Sequence, residues 1–69
     1  MEIGEILFHR NNPNIAVKIA DTPYSILNTF ITPYLVYTMH KDAGIWVEDS
    51  DFVKPIMKER LEKNYLKVN

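Results

Sequence analysis

The chain contains no cysteine, only two glycines, and no apolar run near the roughly 20 residues that span a bilayer. Without cysteine there are no disulfide bridges, thiolate nucleophiles or thiolate metal sites, which agrees with a reducing cytoplasm. Glu2 and Glu5 stand where a signal peptide would carry basic residues. We therefore expect a cytoplasmic protein without membrane association, stabilised by packing, by an oligomer or by a partner.

Length and charge narrow the class of protein further. Sixty-nine residues allow one domain, residues 1–69, and a hydrophobic content of 46% is ample for a globular core. The formal charge is −1, but residues 1–53 hold three basic and seven acidic groups, whereas residues 54–69 hold five basic and two acidic groups. A net charge near zero disfavours electrostatic binding to nucleic acid, which remains an alternative.

Two N-terminal segments have the alternation typical of β-strands. Residues 2–10 place Ile6 and Phe8 on one face, and the β-branched residues of segment 15–20 alternate with alanine and lysine. Between them, residues 11–14 read NNPN, a strong turn signal because asparagine tolerates left-handed φ and proline presets φ. We predict a hairpin with a four-residue loop, and we expect the β-branched set to face the core.

The segment 21–33 leaves two alternatives open. Thr22 and Pro23 have the chemistry of a helix start, and apolar residues follow at helical spacing. However, several residues are β-branched, and Pro33 stops any helix early. We favour an extended segment or one loose turn over a helix.

The next segments predict a second hairpin. Residues 34–40 carry apolar side chains on both faces, which indicates a central strand. Residues 40–44 form a polar connection in which Gly44 can take positive φ, and residues 45–47 return as the partner strand.

A C-terminal helix is predicted after this strand. Asp49 and Asp51 offer N-cap chemistry, and Pro55 fits a first helical turn. One apolar stripe then runs along a helix predicted over residues 54–68, formed by Met57, Leu61, Tyr65 and Val68. The carboxylates of Glu48, Asp49 and Asp51 could instead gather a divalent cation, but helix capping explains them without a ligand.

The layout resembles the small SH3-like β-barrels that occur as standalone proteins in bacteria and bacteriophages. The resemblance is carried by Ile3–Leu7, Asn12–Val17, Tyr34–Tyr37 paired with Ile45–Val47, and the closing Asp49–Phe52. It implies a mainly β fold with a C-terminal helix (α+β), in which a partly open antiparallel barrel of four to five strands spans residues 1–53. Such barrels mostly bind peptides, proteins or nucleic acid.

No residue pattern points to catalysis. His9 and His40 are the only histidines, and their separation is not a metal-ligand spacing. Serine and threonine occur outside any nucleophile motif, and there is no phosphate-binding loop. We therefore expect no catalytic residue, no metal and no cofactor, and we expect that the protein is not an enzyme.

The leading hypothesis is a non-enzymatic protein-binding module. Small size and richness in Ile, Asn and Lys, with the resemblance, suggest a phage-encoded protein that binds or inhibits a host protein in the host cytoplasm. The candidate partner-binding residues are Tyr37, Trp46, Glu48, Asp49, Asp51, Lys58 and Tyr65. The alternatives are nucleic-acid binding and a self-associating structural component that uses the Met57–Leu61–Tyr65–Val68 stripe between subunits.

Overall fold

The computed structural model describes residues 1–22 and 33–67, which form a five-stranded antiparallel sheet and one short helix. The elements are β1 (Ile6–His9), β2 (Ile15–Asp21), β3 (Tyr34–Asp42), β4 (Ile45–Ile56), α1 (Lys58–Asn64) and β5 (Tyr65–Lys67). The predicted mainly β class with a C-terminal helix is confirmed, and the sheet is not closed into a barrel within these residues. The alternatives for segment 21–33 fall almost wholly outside the described residues.

The sheet order is β4-β3-β2-β1-β5, so β4 and β5 are the two edges of the described sheet. Each strand from β1 to β3 pairs with the next one along the chain, and β5 returns to pair with β1. Helix α1 therefore connects the two opposite edges of the sheet. It has seven residues, and no helix in the described part of the chain is long and apolar enough to cross a membrane.

The first hairpin forms as predicted, but its strands are shorter. Leu7 pairs with Val17 across the hairpin, and residues 10–14 make the loop, one residue longer than expected. Asn12 stabilises this loop with two hydrogen bonds. Its side-chain oxygen accepts the Asn14 N–H, and its backbone carbonyl accepts the Ile15 N–H. β1 begins only at residue 6 because Gly4, at φ +90°, turns the chain before it.

The second hairpin is tighter than predicted. β3 continues to Asp42, and Ala43 and Gly44 alone form the turn, with φ values of 52° and 80°. Two central residues with positive φ are the geometry of the type I′ turn, whose twist matches that of the flanking strands. The polar stretch 40–44 is therefore mostly strand.

The predicted start of the helix is wrong, because β4 continues through it. The strand runs to Ile56, so Asp49 and Asp51 are not helix caps, and Pro55 is not in a first helical turn. Pro55 is tolerated because β4 is an edge strand, where a missing N–H need not break the sheet. Between Asp49 and Lys54 the register with β3 shifts, so that residues 50–53 bulge opposite a single β3 residue.

The helix is half as long as the sequence predicts, and the body of strands extends past residue 53. α1 spans Lys58–Asn64, and its N-cap, Met57, makes no side-chain capping bond. At the other end, the Arg10 backbone N–H donates to the Asn64 carbonyl at 2.8 Å, and its guanidinium donates to the Glu62 carbonyl at 3.3 Å. These bonds satisfy carbonyls that a helix end leaves free and tie α1 to β1.

One face of the sheet packs with α1 to form the core. Its buried members are Leu7, Val17, Ile19, Tyr34, Val36, Ile56 and Leu61, with Met1 and Tyr65 packed against them. Val17 and Ile19 confirm that the β-branched residues of β2 face the core. Leu61 is the only residue of α1 in this cluster and is fully buried, whereas Met57 precedes the helix and Tyr65 follows it, so the described residues of the predicted stripe do not form one helix face. Val68 lies outside the described residues.

Candidate functional site

The face of the sheet opposite the core is also rich in apolar side chains, and we call it the aromatic face. The strand pairings place the following residues on it: Ile6, Phe8, Ala16, Lys18, Asp21, Leu35, Tyr37, Met39, Lys41, Trp46, Glu48, Pro55 and Leu66. Ile6, Leu35 and Leu66 are between 36% and 44% exposed. A sheet with a core on one side normally turns polar residues to the other, so this face is unusually apolar for a solvated surface.

Phe8 and Trp46 form the centre of the aromatic face. They belong to β1 and β4, on either side of β2 and β3, yet their ring centroids are 5.6 Å apart in an edge-to-face arrangement at 64°. Ala16 lies on β2 between them and is fully buried although it faces away from the core. A small residue there leaves room for the two rings to approach each other.

Two charged contacts border the rings. The Lys41 ammonium lies 5.3 Å from the Trp46 ring centroid, within range of a cation–π interaction. The Lys18 ammonium lies 3.2 Å from a carboxylate oxygen of Glu48. Because both partners of this ion pair are about one third exposed, it fixes side-chain positions more than it adds stability.

Of the predicted site residues, Tyr37, Trp46 and Glu48 lie on the aromatic face. Tyr37 is the register partner of Lys18, and Lys18 holds Glu48, so these side chains are neighbours. Tyr37 and Trp46 are both half-buried. The structure thus brings three of the seven predicted residues together.

The other four predicted residues are dispersed. Asp49 points to the face opposite that of Glu48, and Asp51 lies in the exposed bulge of β4, next to Phe52, which is 65% exposed. Lys58 is exposed at the start of α1. Tyr65 packs against the core and meets the His9 ring edge-on at 5.1 Å, and burial raises the pKa of its phenol above 10.0.

The two histidines have different surroundings. The His9 ring accepts the Asn11 N–H at Nδ1, 3.1 Å away, and His40 is exposed on β3. Within residues 1–22 and 33–67, no three His, Asp or Glu side chains are grouped as a metal site requires. The acidic cluster at residues 48–51 is split between the two faces of β4 and its bulge.

A second feature is a basic groove where β4, α1 and β5 meet. The groove is open to solvent, has a volume of about 790 Å³ and is lined by Lys54, Pro55, Ile56, Met57, Glu59, Arg60, Lys63, Asn64 and Tyr65. Three cations and one carboxylate line it, so its net charge is positive, whereas the net charge of residues 1–53 is negative. Three of the five basic residues in segment 54–69 therefore line one groove.

A carboxylate joins the N-terminal turn to β5. Glu5 accepts the Glu2 backbone N–H at 3.0 Å, and its other oxygen lies 3.7 Å from the Lys67 ammonium. The hydrogen bond from Glu2 lowers the pKa of Glu5 below 4.5; partial burial opposes this effect, and Lys67 adds to it.

Sequence reasoning missed Phe8, Lys18 and Lys41 as members of the site. Their importance depends on which residues meet across strands, and Phe8 and Trp46 are 38 positions apart in the chain. One feature of the sequence could have indicated Phe8. It shares a face of its strand with Ile6, and the core was already expected to form from the β-branched residues of β2.

Comparisons with protein-family models, with curated proteins and with solved structures found no match for this chain.

Proposed function

We propose that this protein is a non-enzymatic protein-binding module and that the aromatic face is its docking surface. The observation that carries the proposal is the placement of Phe8, Trp46 and exposed aliphatic side chains on the face that the core does not use. Aromatic residues in a well-packed cluster are the groups that dominate protein–protein binding energy. Here they are held by the sheet before any partner arrives, which reduces the entropy lost on binding.

The chemistry of the face defines the partner that fits it. Ile6, Phe8 and Leu66 form an aliphatic and aromatic strip along β1 and β5, since Phe8 pairs directly with Leu66. The Lys41 ammonium lies over Trp46 at the β4 side of this strip. The expected partner is a protein segment with large apolar side chains that also carries a carboxylate to meet Lys41.

Site-specific photo-crosslinking tests the proposal. A benzophenone amino acid in place of Ile6, on the aromatic face, should give one dominant protein adduct in cells that naturally express the chain. The matched control is the same label in place of Ile3, which is 65% exposed and precedes β1. A Leu66→Lys change should then remove the Ile6 adduct, because it buries a charge against the apolar strip.

Equal adducts from the Ile6 and Ile3 labels would contradict docking at the aromatic face. Persistence of the Ile6 adduct after Leu66→Lys would do so too, provided that the variant keeps the circular dichroism spectrum of the parent.

The SH3-like architecture is part of this proposal. The strand order supports it, because α1 joins the two edge strands and a barrel would need only β4 to approach β5. Nuclear Overhauser contacts between residues 54–56 and 65–67 would establish such closure. Their absence would leave an open sheet.

Nucleic-acid binding is the second candidate, favoured by the basic groove. Lys54, Arg60 and Lys63 line one concave surface beside Tyr65, and such surfaces follow a phosphate backbone. Fluorescence anisotropy with a labelled single-stranded oligonucleotide should show affinity that falls steeply with added salt. Arg60→Gln should weaken that binding, whereas Lys41→Gln, outside the groove, should not. A flat titration at low salt would eliminate this candidate.

A further inference from the structure

The β4 edge presents backbone hydrogen-bonding groups away from the sheet. The Lys41 N–H donates to the Asn14 carbonyl at 3.0 Å, so the backbone of Lys41 faces β2 and not β4. Lys41 and its register partner Trp46 therefore form a pair without backbone hydrogen bonds between them. The N–H and C=O groups of Trp46, and by alternation those of Glu48, point outward.

The two halves of β4 differ in how their edge is protected. The half near Ile56 contains Pro55 and follows the bulge at residues 50–53, both of which discourage pairing with another strand. The half from residue 45 to residue 49 contains neither proline nor bulge. It also carries exposed aliphatic side chains, with Ile45 68% and Val47 39% exposed.

We propose that a second copy of this chain pairs antiparallel with residues 45–49, with the two-fold axis at Val47. In this register Trp46 of one protomer lies opposite Glu48 of its partner, and each such pair exchanges both of its outward backbone hydrogen bonds. A register centred on Glu48 places like charges opposite each other. One centred on Trp46 sets Glu48 opposite the turn residue Gly44, so only the central one of its hydrogen-bonded pairs lies within β4.

The side chains on both faces complement this register. On the core side, Val47 meets the partner's Val47, and exposed aliphatic surface is removed from water. On the aromatic face, the partner's Glu48 arrives beside Trp46, whose ring carries the Lys41 ammonium. Opposite charges thus meet across the two-fold axis, and the aromatic faces of the two protomers become continuous.

The backbone part of the proposal is tested by Glu48→Pro against Glu48→Ala. Both variants lose the ion pair with Lys18, but only proline removes the outward N–H, and it leaves the bonds between β4 and β3 intact. Sedimentation equilibrium should show a dimer for the wild type and a weakened dimer for Glu48→Ala. For Glu48→Pro the dissociation constant should rise by a further factor of about ten or more.

The register is tested with single cysteines, which the chain otherwise lacks. At the two-fold axis, Val47→Cys brings two thiols across a pair whose Cα atoms are about 4.5 Å apart, within the range of a disulfide. Ile45→Cys, on the same strand and face, is the control, because its two copies lie on opposite sides of the axis. Mild oxidation should crosslink the first variant rapidly and the second only slowly.

Three results would overturn the proposal. The first is a wild-type monomer at the highest soluble concentration. The second is a Glu48→Pro variant that dimerises as tightly as Glu48→Ala, which would place the interface elsewhere. The third is equal crosslinking of the two cysteine variants. None of these results bears on the Ile6 crosslinking experiment, so this proposal and the docking proposal can fail separately.

Discussion

At the scale of single residues, Ala16 decides what the aromatic face can look like. It is fully buried on the side of the sheet away from the core, between strands that carry Phe8 and Trp46. A larger side chain there would occupy the space over which the two rings meet. The arrangement of the face thus depends on the smallest residue in it.

Replacing Ala16 with leucine should destabilise the protein by about 1–3 kcal/mol, because the new side chain overpacks the site. It should also separate Phe8 from Trp46, so the fluorescence of the single tryptophan should shift to longer wavelength. Ala20→Leu, at a half-buried position of the same strand, is the control. Equal effects of the two substitutions would show that Ala16 has no special role.

Glu5 gives a prediction about pH. Its pKa is lowered in the folded state, first by the hydrogen bond from Glu2, so its contribution to stability is fully present above pH 4.5 and lost as pH falls through the lowered value. Glu5→Gln should therefore melt at a lower temperature than the wild type at neutral pH. The difference between the two should shrink as the pH is taken below 4.5, and a constant difference would refute the assignment.

At the scale of elements, the sequence was informative where structure is local. Both hairpins were predictable, because alternation and turn residues lie next to each other in the chain. The end of β4 was not, because Asp49, Asp51 and Pro55 suit a helix start as well as an edge strand. Pairing with β3 keeps this segment in the strand, and pairing of β5 with β1 ends the helix at Asn64.

The same distinction applies to the candidate site. Tyr37, Trp46 and Glu48 were identified from one continuous stretch of chain, and they do share a face. Phe8 was missed because its partner is reached only through the register of four strands. Contacts across several strands depend on how each pair is aligned, and one shifted register moves every later residue.

The turn of the second hairpin gives a prediction at this scale. Ala43 has φ +52°, which costs an ordinary residue about 1 kcal/mol, whereas asparagine adopts it readily before glycine. Ala43→Asn should therefore raise the free energy of unfolding by about 0.5–1 kcal/mol in urea titrations. Gly44→Ala, at φ +80°, should lower it, and a stabilising Gly44→Ala would contradict the turn geometry.

At the scale of the whole molecule, Leu61 holds the helix to the sheet. It is the one α1 residue in the core and is fully buried among residues from β1, β2, β3 and β4. A small domain has few such residues, and its total stability is on the order of 5 kcal/mol. One side chain therefore carries a large share of the packing of α1 against the sheet.

Leu61→Ala should cost about 2–5 kcal/mol, enough to leave the chain largely unfolded at 37 °C. Leu66→Ala is the matched control: Leu66 is 44% exposed, and its loss should cost less than about 1 kcal/mol. Thermal melts followed by circular dichroism distinguish the two variants. A Leu61→Ala variant as stable as Leu66→Ala would show that α1 is not anchored through this residue.

The return of β5 to β1 has a consequence for the newborn chain. β1 obtains one neighbour early, from β2, but its second neighbour consists of residues 65–67, which a ribosome makes last among the described elements. Synthesis proceeds at roughly 5–20 residues per second, so β1 waits seconds with one side unpaired. The sheet therefore stays unfinished until residues 65–67 have left the exit tunnel, and their emergence, rather than hairpin formation, sets the moment at which the described sheet is completed.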